Sequence, residues 1–198
     1  MSTAVVRIGV GNTASVMFAL ERLGARAVLT EDPRRVADAE RVILPGVGAA
    51  RYAMERLDAS GMSAALRAFT RPLLGICLGQ QLLYERSEEG DARGLGLIPG
   101  SVLKLPASTQ SPSPHMGWSR LLNVREHPLT DGLPREAYAY FVHSYACPLS
   151  AQTIAAARHG DEFSAMVSHR NVNGCQFHPE RSGAMGRRIL ENFLALPC

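Results

Sequence analysis

Between Pro72 and Leu83 an apolar run meets a glycine-bracketed cysteine and then turns apolar again, an order that few folds accommodate. Leu73-Leu74-Gly75-Ile76 reads as a buried strand, Cys77 as a tight turn and Leu78 to Leu83 as a helix. Gly75 and Gly79 stand two residues to either side of the thiol, where the chain reverses and a Cβ would crowd it. This is the thiol form of the G-x-S-x-G elbow, in which a sheet strand presents its nucleophile at the start of the next helix. Free N–H groups and the helix dipole there favour a negatively charged sulfur. The competing reading is a buried structural cysteine, which isolated cysteines often are. The strand–turn–helix frame argues against it.

A nucleophilic thiol needs a base, and the candidate lies far downstream. Asn173-Gly174-Cys175-Gln176-Phe177 reads as a strand that runs into His178-Pro179-Glu180. Pro179 pushes the residue before it into extended geometry. Residues two apart in extended chain share a side, so His178 and Glu180 are expected to project together, the carboxylate orienting the ring. Cys77, His178 and Glu180 then form a generalised triad of nucleophile, base and orienter.

The segments before the elbow alternate between strand and helix. Val5 to Val10 reads as a strand, followed by a helix through Val16, Phe18, Leu20 and Leu23 with Asn12 or Thr13 as its cap. Ala27 to Leu29 and Val42 to Leu44 read as strands, the second ending at Pro45-Gly46-Val47-Gly48. Helices are expected over Pro33 to Ala37, Ala49 to Leu57 and Met62 to Phe69. Continuous apolar strands alternating with helices predict an α/β fold with a parallel sheet covered on both faces. Beyond about residue 90 glycine and proline become frequent. Short strands are expected at Val102 to Leu105, Tyr138 to Val142, Thr153 to Ala157 and Phe163 to Val167, which gives this half an antiparallel character. Ala107 to Pro114 reads as an exposed loop, and Ser182 as the cap of a last helix. One domain over residues 1–198 is the simplest organisation.

Composition excludes several classes. A net charge of +3 with basic residues scattered among acids gives no basic stripe, so nucleic-acid binding has little support. The first 25 residues lack a long apolar run, so neither a signal peptide nor a membrane span is expected, and the location is cytoplasmic. Cys77, Cys147, Cys175 and Cys198 contain no C-x-x-C pair, which suggests neither a zinc site nor a disulfide framework. His143 and Cys147 stand at metal-ligand spacing, but no second pair accompanies them. No metal and no cofactor are expected.

The triad segments resemble the class I glutamine amidotransferases. Within that group, Leu44-Pro45-Gly46-Val47-Gly48, Pro114-His115-Met116-Gly117-Trp118, Tyr140-Phe141-Val142-His143-Ser144-Tyr145 and His178-Pro179-Glu180-Arg181-Ser182-Gly183 follow one another as in the HisH family, the glutaminase subunits of imidazole glycerol phosphate synthases. The resemblance implies a flavodoxin-like, mostly parallel sheet. It also implies hydrolysis of L-glutamine to glutamate and ammonia by Cys77, His178 and Glu180. An oxyanion hole is implied at the Leu78 amide and in the Val47-Gly48 loop, whose Val47 peptide is expected to flip between silent and active poses. Gln81, Ser144 and Tyr145 are implied to hold the amino-acid end of glutamine. The implied partner is a HisF-type (β/α)8-barrel cyclase, since 198 residues leave no room for a synthase, and Trp118 is expected near that interface or in a local core. The rival within the class supplies ammonia to a surface-sugar amidination synthase. The chain departs from the family at Arg7-Ile8-Gly9, where Asp-Tyr-Gly is common, and at Gln80, where Met is usual.

Overall fold

The apolar runs of the N-terminal half pair side by side. In the computed structural model, which describes residues 2–9 and 13–198, strands β1 (Thr3–Val6), β2 (Ala27–Thr30), β3 (Arg41–Gly46) and β4 (Leu73–Cys77) are parallel in the order β4-β3-β1-β2. Every residue of β1, β3 and β4 is buried, as continuous apolar strands must be when helices cover both faces. Side chains divide by alternation. Val5, Ile43, Leu74 and Ile76 join one apolar cluster with Phe141, Phe163, Phe177 and Phe193. Ala4, Val6, Val42, Leu44 and Leu73 join the other with Leu57, Leu66 and Tyr84.

Helices α1 (Thr13–Arg22), α2 (Pro33–Asp38), α3 (Ala50–Ala59), α4 (Met62–Ala68) and α5 (Leu78–Leu82) lie among and after these strands, and α6 (Gly183–Ala195) ends the fold. The start of α2 shows the local logic. The Asp32 carboxylate accepts from the Arg34 backbone N–H at 3.0 Å, and Pro33 takes the first helical position, where it has no bond to forfeit.

The remaining strands are β5 (Tyr84–Ser87), β6 (Ala92–Arg93), β7 (Ile98–Lys104), β8 (His115–Arg120), β9 (Tyr138–His143), β10 (Tyr145–Ala146), β11 (Thr153–His159), β12 (Asp161–His169) and β13 (Val172–Cys175). Strand β13 enters the main sheet parallel to β4, and β12 and β11 extend it antiparallel, giving seven strands in the order β11-β12-β13-β4-β3-β1-β2. The mostly parallel sheet with an antiparallel C-terminal portion is therefore the architecture. A second sheet runs β10-β7-β5-β6, and β8 pairs antiparallel with β9. The parallel placement of β13 matters most, because it brings the chain entering His178 beside the strand that ends at Cys77.

Several boundaries differ from expectation. Strand β1 ends at Val6, because Arg7 is solvent-exposed and Gly9 turns with φ +93°. The expected strand end at Val10 and the expected cap Asn12 lie outside the described residues, and Thr13 is already helical. Arg7, one of the departures, pairs with Glu31 at 3.4 Å on the surface. Strand β13 stops at Cys175, short of Phe177. Within the expected loop Ala107 to Pro114, Ser111 is buried. Strands β5, β6, β8 and β10 were not anticipated.

Gln80, the other departure, lies wholly buried beneath β13. Its Nε2 donates to the Ser164 carbonyl at 3.2 Å and to Cys147 Sγ at 3.8 Å, but Oε1 has no partner. A buried, unpaired carbonyl costs about 1–3 kcal/mol; the bond to Ser164 returns about 1, and the longer contact to sulfur returns less. Gln80→Met, which keeps the length and removes the orphan oxygen, is expected to raise stability by about 1 kcal/mol. Urea unfolding checks this: the midpoint should rise with an unchanged slope, and a lower midpoint would show that the donated bonds outweigh the orphan.

Candidate active site

Cys77 occupies the junction of β4 and α5 with φ 55° and ψ −113°, a backbone pose that side chains rarely adopt. Close approach makes it possible. A Cβ on Gly79 would fall 1.7 Å from the Leu44 carbonyl oxygen, and one on Gly75 would fall 2.6 Å from the Gly79 oxygen. Helix α5 thus rests directly on the backbone of β3 and β4, and the thiol is held at the rim where the strands end. Cys77 is only 6 % exposed; its sulfur lies 3.8 Å from the Val142 carbonyl oxygen and 3.8 Å from Gln176 Nε2.

His178 reaches the thiol from beyond β13. Its N–H donates to the Tyr140 carbonyl at 3.0 Å, and its own carbonyl accepts from Ser182 Oγ at 2.7 Å. Ser182 Oγ also accepts from the Tyr140 N–H at 3.0 Å. Ser182 therefore stands at the N-cap position of α6 without capping it, its hydroxyl being spent on the His178 turn.

The ring meets Glu180, with Nδ1 to Oε1 at 2.9 Å. Their contact has a different origin from the one expected. His178 is extended, but Pro179–Arg181 forms a single 3-10 turn that curls Glu180 back under the ring. The Glu180 side chain is 2 % exposed and, among the described residues, the His178 imidazole bonds its Oε1 while its Oε2 meets no partner. Burial pulls His178 down, but the neighbouring Cys77 sulfur and the hydrogen bond to Glu180, with the charges of both, push it up to about 10.

A cavity of about 210 Å³ opens over the thiol, lined by Val47, Gly48, Cys77, Leu78, Gln81, Ser144, Tyr145 and His178. Glu180 stands outside that lining, against His178. The structure therefore gathers the triad, oxyanion and glutamine-holding residues singled out from the sequence at one place, while Trp118 and Cys147 lie outside it. Gly48 adopts φ +96° with open space around it, and Val47 is 36 % exposed. Gln81 Nε2 donates to the Tyr145 carbonyl at 2.8 Å.

Glu89, Val142 and His143 also line the cavity and were missed. Glu89 Oε2 accepts from the Ala50 N–H at 2.8 Å at the start of α3, and no sequence spacing signals that contact. Gln176, whose side chain reaches the Cys77 sulfur, was missed although it precedes His178 by two residues in a segment read as strand.

His143 and Cys147 do not converge on an ion. His143 meets the Tyr145 carbonyl and His115, while Cys147 accepts from Gln80. Among the described residues no cluster of three or more potential metal ligands occurs. No helix among the described residues is long and apolar enough to cross a membrane.

Burial holds His143 down to about 3 and His115 to about 4, with the neighbouring imidazoles adding to the effect. In the unfolded chain both rings take up protons near pH 6.5. Unfolding therefore binds protons below that pH, and stability falls as pH drops, by up to about 1.4 kcal/mol per unit for each ring. His178 acts oppositely: its contribution is complete below its unfolded value and is lost as pH rises through about 10. Urea unfolding between about pH 7 and about pH 5 is expected to show the acid slope, and His115→Gln to flatten it. Stability level over that range would contradict neutral burial of the pair.

The whole-chain comparisons agree with the geometry. The family model for class I glutamine amidotransferases matches residues 9–196. The imidazole glycerol phosphate synthase subunit HisH of Xanthomonas oryzae pv. oryzae is 52% identical over 193 residues, covering 98% of this chain and 96% of that protein. The subunit of the same name from Xylella fastidiosa is 50% identical over the same shares. Among solved structures, PurLQS from Thermotoga maritima superposes with a TM-score of 0.71 at 21% identity, covering 98% of this chain and 97% of that one. At that identity the likeness concerns the fold alone.

Proposed function

Because the chain belongs to the class I glutamine amidotransferases, we propose that it is the glutaminase subunit of an imidazole glycerol phosphate synthase in histidine biosynthesis. One observation carries this reading: a thiol–imidazole–carboxylate array faces a cavity for one small molecule, in a chain half identical throughout to HisH proteins.

L-glutamine enters with its side-chain amide against Cys77, and Gln81, Ser144 and Tyr145 hold its amino-acid end. The Cys77 sulfur attacks the amide carbon. The oxyanion takes hydrogen bonds from the Leu78 N–H and from an amide of the Val47-Gly48 loop. The flanking Gly46 and Gly48 leave that peptide free to flip, so the hole is complete in one pose and silent in the other. His178, kept protonated by the neighbouring Cys77 sulfur and by Glu180, gives its proton to the leaving nitrogen as the C–N bond breaks and a γ-glutamyl thioester forms. Glu180 holds the ring through Nδ1. Water then attacks the thioester, His178 removes its proton, and glutamate leaves with the sulfur restored.

Ammonia freed into neutral water becomes ammonium and loses its nucleophilicity. It therefore passes directly to the acceptor site of a docked (β/α)8-barrel cyclase of the HisF type, which forms imidazole glycerol phosphate and the aminoimidazole-carboxamide ribotide. The docking face includes the exposed side of the β8–β9 pair. There Met116 and Trp118 are 64 % and 56 % exposed, and Trp118 meets Tyr140 edge-on at 5.9 Å. An exposed Trp set among apolar neighbours is a frequent interface anchor. Residues 1–198 act as one glutaminase domain, in the cytoplasm. Titrating the barrel cyclase with this chain tests the proposal. Glutamine-dependent imidazole glycerol phosphate formation should saturate at one chain per cyclase, and the absence of glutamine-dependent product from a folded mixture would overturn it.

A further inference from the structure

A line of hydrogen bonds behind the cavity links the Cys77 sulfur to strand β8, and its direction is set by a single atom. The Tyr145 carbonyl oxygen can only accept. Gln81 therefore turns its NH2 group toward it, at 2.8 Å, and the same group donates to Gln176 Oε1 at 2.9 Å. This places the Gln176 NH2 group against the Cys77 sulfur, at 3.8 Å. Reversing the Gln176 amide would set its NH2 against that of Gln81 and its oxygen against the sulfur, two repulsive contacts at once.

The same carbonyl orders the other branch. His143 Nδ1 donates to it at 2.8 Å, so His143 Nε2 carries no proton and accepts from His115 Nδ1 at 2.9 Å. His115 Nε2 then accepts from the Ser119 hydroxyl at 2.8 Å. The depressed values of both rings agree with these neutral tautomers. Gln176 is fully buried, and Gln81, His115 and His143 are nearly so, hence water does not compete for these bonds.

We propose that Gln176 is a catalytic residue that donates a hydrogen bond to the Cys77 sulfur and stabilises it as the nucleophile, its amide held in the donating sense by Gln81 and the Tyr145 carbonyl. The assignment rests on Cys77 being the glutaminase nucleophile. His143 and His115 brace the governing carbonyl and tie it to Ser119, the neighbour of exposed Trp118.

The test is the rate of Cys77 alkylation by iodoacetamide at neutral pH, which needs no glutamine turnover. It is read by peptide mass in a Cys198→Ser background, since Cys198 is exposed while Cys147 and Cys175 are buried. Gln176→Leu removes the donor and should slow alkylation about tenfold, the worth of one hydrogen bond to a charged group. Gln81→Leu keeps Gln176 but frees its amide to turn, and should slow alkylation by a smaller factor. A packing role alone would loosen the site and leave the rate unchanged or higher, and that result in the folded variants would overturn the assignment. Should Gln176→Leu not fold, the Gln81→Leu rate decides by the same criterion. Wild-type protein that alkylates rapidly yet releases no glutamate from glutamine even with the barrel cyclase and its ribotide substrate present would instead remove the glutaminase reading.

Discussion

Cys77→Ala is expected to abolish glutamine-dependent synthesis by the complex with the barrel cyclase, by at least about a thousandfold, and to leave ammonia-dependent synthesis intact. In the proposed mechanism the sulfur is the atom that bonds to the substrate, and alanine leaves nothing in the cavity to replace it. His178→Ala and Glu180→Ala should show the same division. In the same mechanism His178 supplies the proton that the leaving nitrogen needs, and Glu180 meets its Nδ1 at 2.9 Å. Because these groups act as a unit, their combined loss should cost little more than the first. Ammonia added in excess is expected to bypass all three, since the proposed division of labour puts the second reaction on the cyclase chain. Assaying the complexes with glutamine and then with ammonia reads both activities. Loss of both in correctly folded complexes would contradict the division of labour.

Gly79→Ala is expected to destroy the fold rather than the chemistry. Its Cβ would lie 1.7 Å from the Leu44 carbonyl oxygen and 2.8 Å from the carbon of that group. Both neighbours are backbone of a buried central strand, so no side chain can turn aside. Helix α5 would have to lift off β3, opening the apolar contacts of Leu78 and Leu82 and moving Cys77 with it. A cost above about 4 kcal/mol is expected, enough to unfold many domains. Gly96→Ala is the informative contrast. Its φ of +66° carries strain, but its Cβ would meet nothing within 4 Å, so about 1 kcal/mol is expected. Thermal denaturation of the two variants separates close approach from backbone strain, and a folded Gly79→Ala protein with a near-native midpoint would refute the direct seating of the helix.

The same contrast shows why some of this molecule was legible from its residues. Leu73 to Cys77 and Gly79 obey local rules, an apolar strand followed by a helix that must lie close, and the elbow follows from them. Val42 to Leu44 and Ala27 to Leu29 were legible for the same reason, because a strand buried on both faces has no polar alternation to obscure it. His115 to Arg120 escaped because its strand is half exposed and interrupted by Gly117 at φ +136°, so its pairing with Tyr138 to His143 is a long-range fact. Ser182 has the residue type of a helix cap, yet tertiary contacts to His178 and Tyr140 claimed its hydroxyl. The meeting of His178 and Glu180 was anticipated from extended geometry and is achieved by a 3-10 turn. Gln176 was within reach of the period-two argument applied to His178, but its importance lies in Gln81 and Tyr145, whose proximity only the fold creates.

The most direct measurement is glutamate release from glutamine by the purified chain, alone and then with the barrel cyclase and its ribotide substrate. A low rate alone that rises strongly with partner and ligand is the predicted result, as the proposed triad and gated oxyanion loop require. No rise with the cyclase, together with a rise on adding a surface-sugar amidination synthase, would contradict the account.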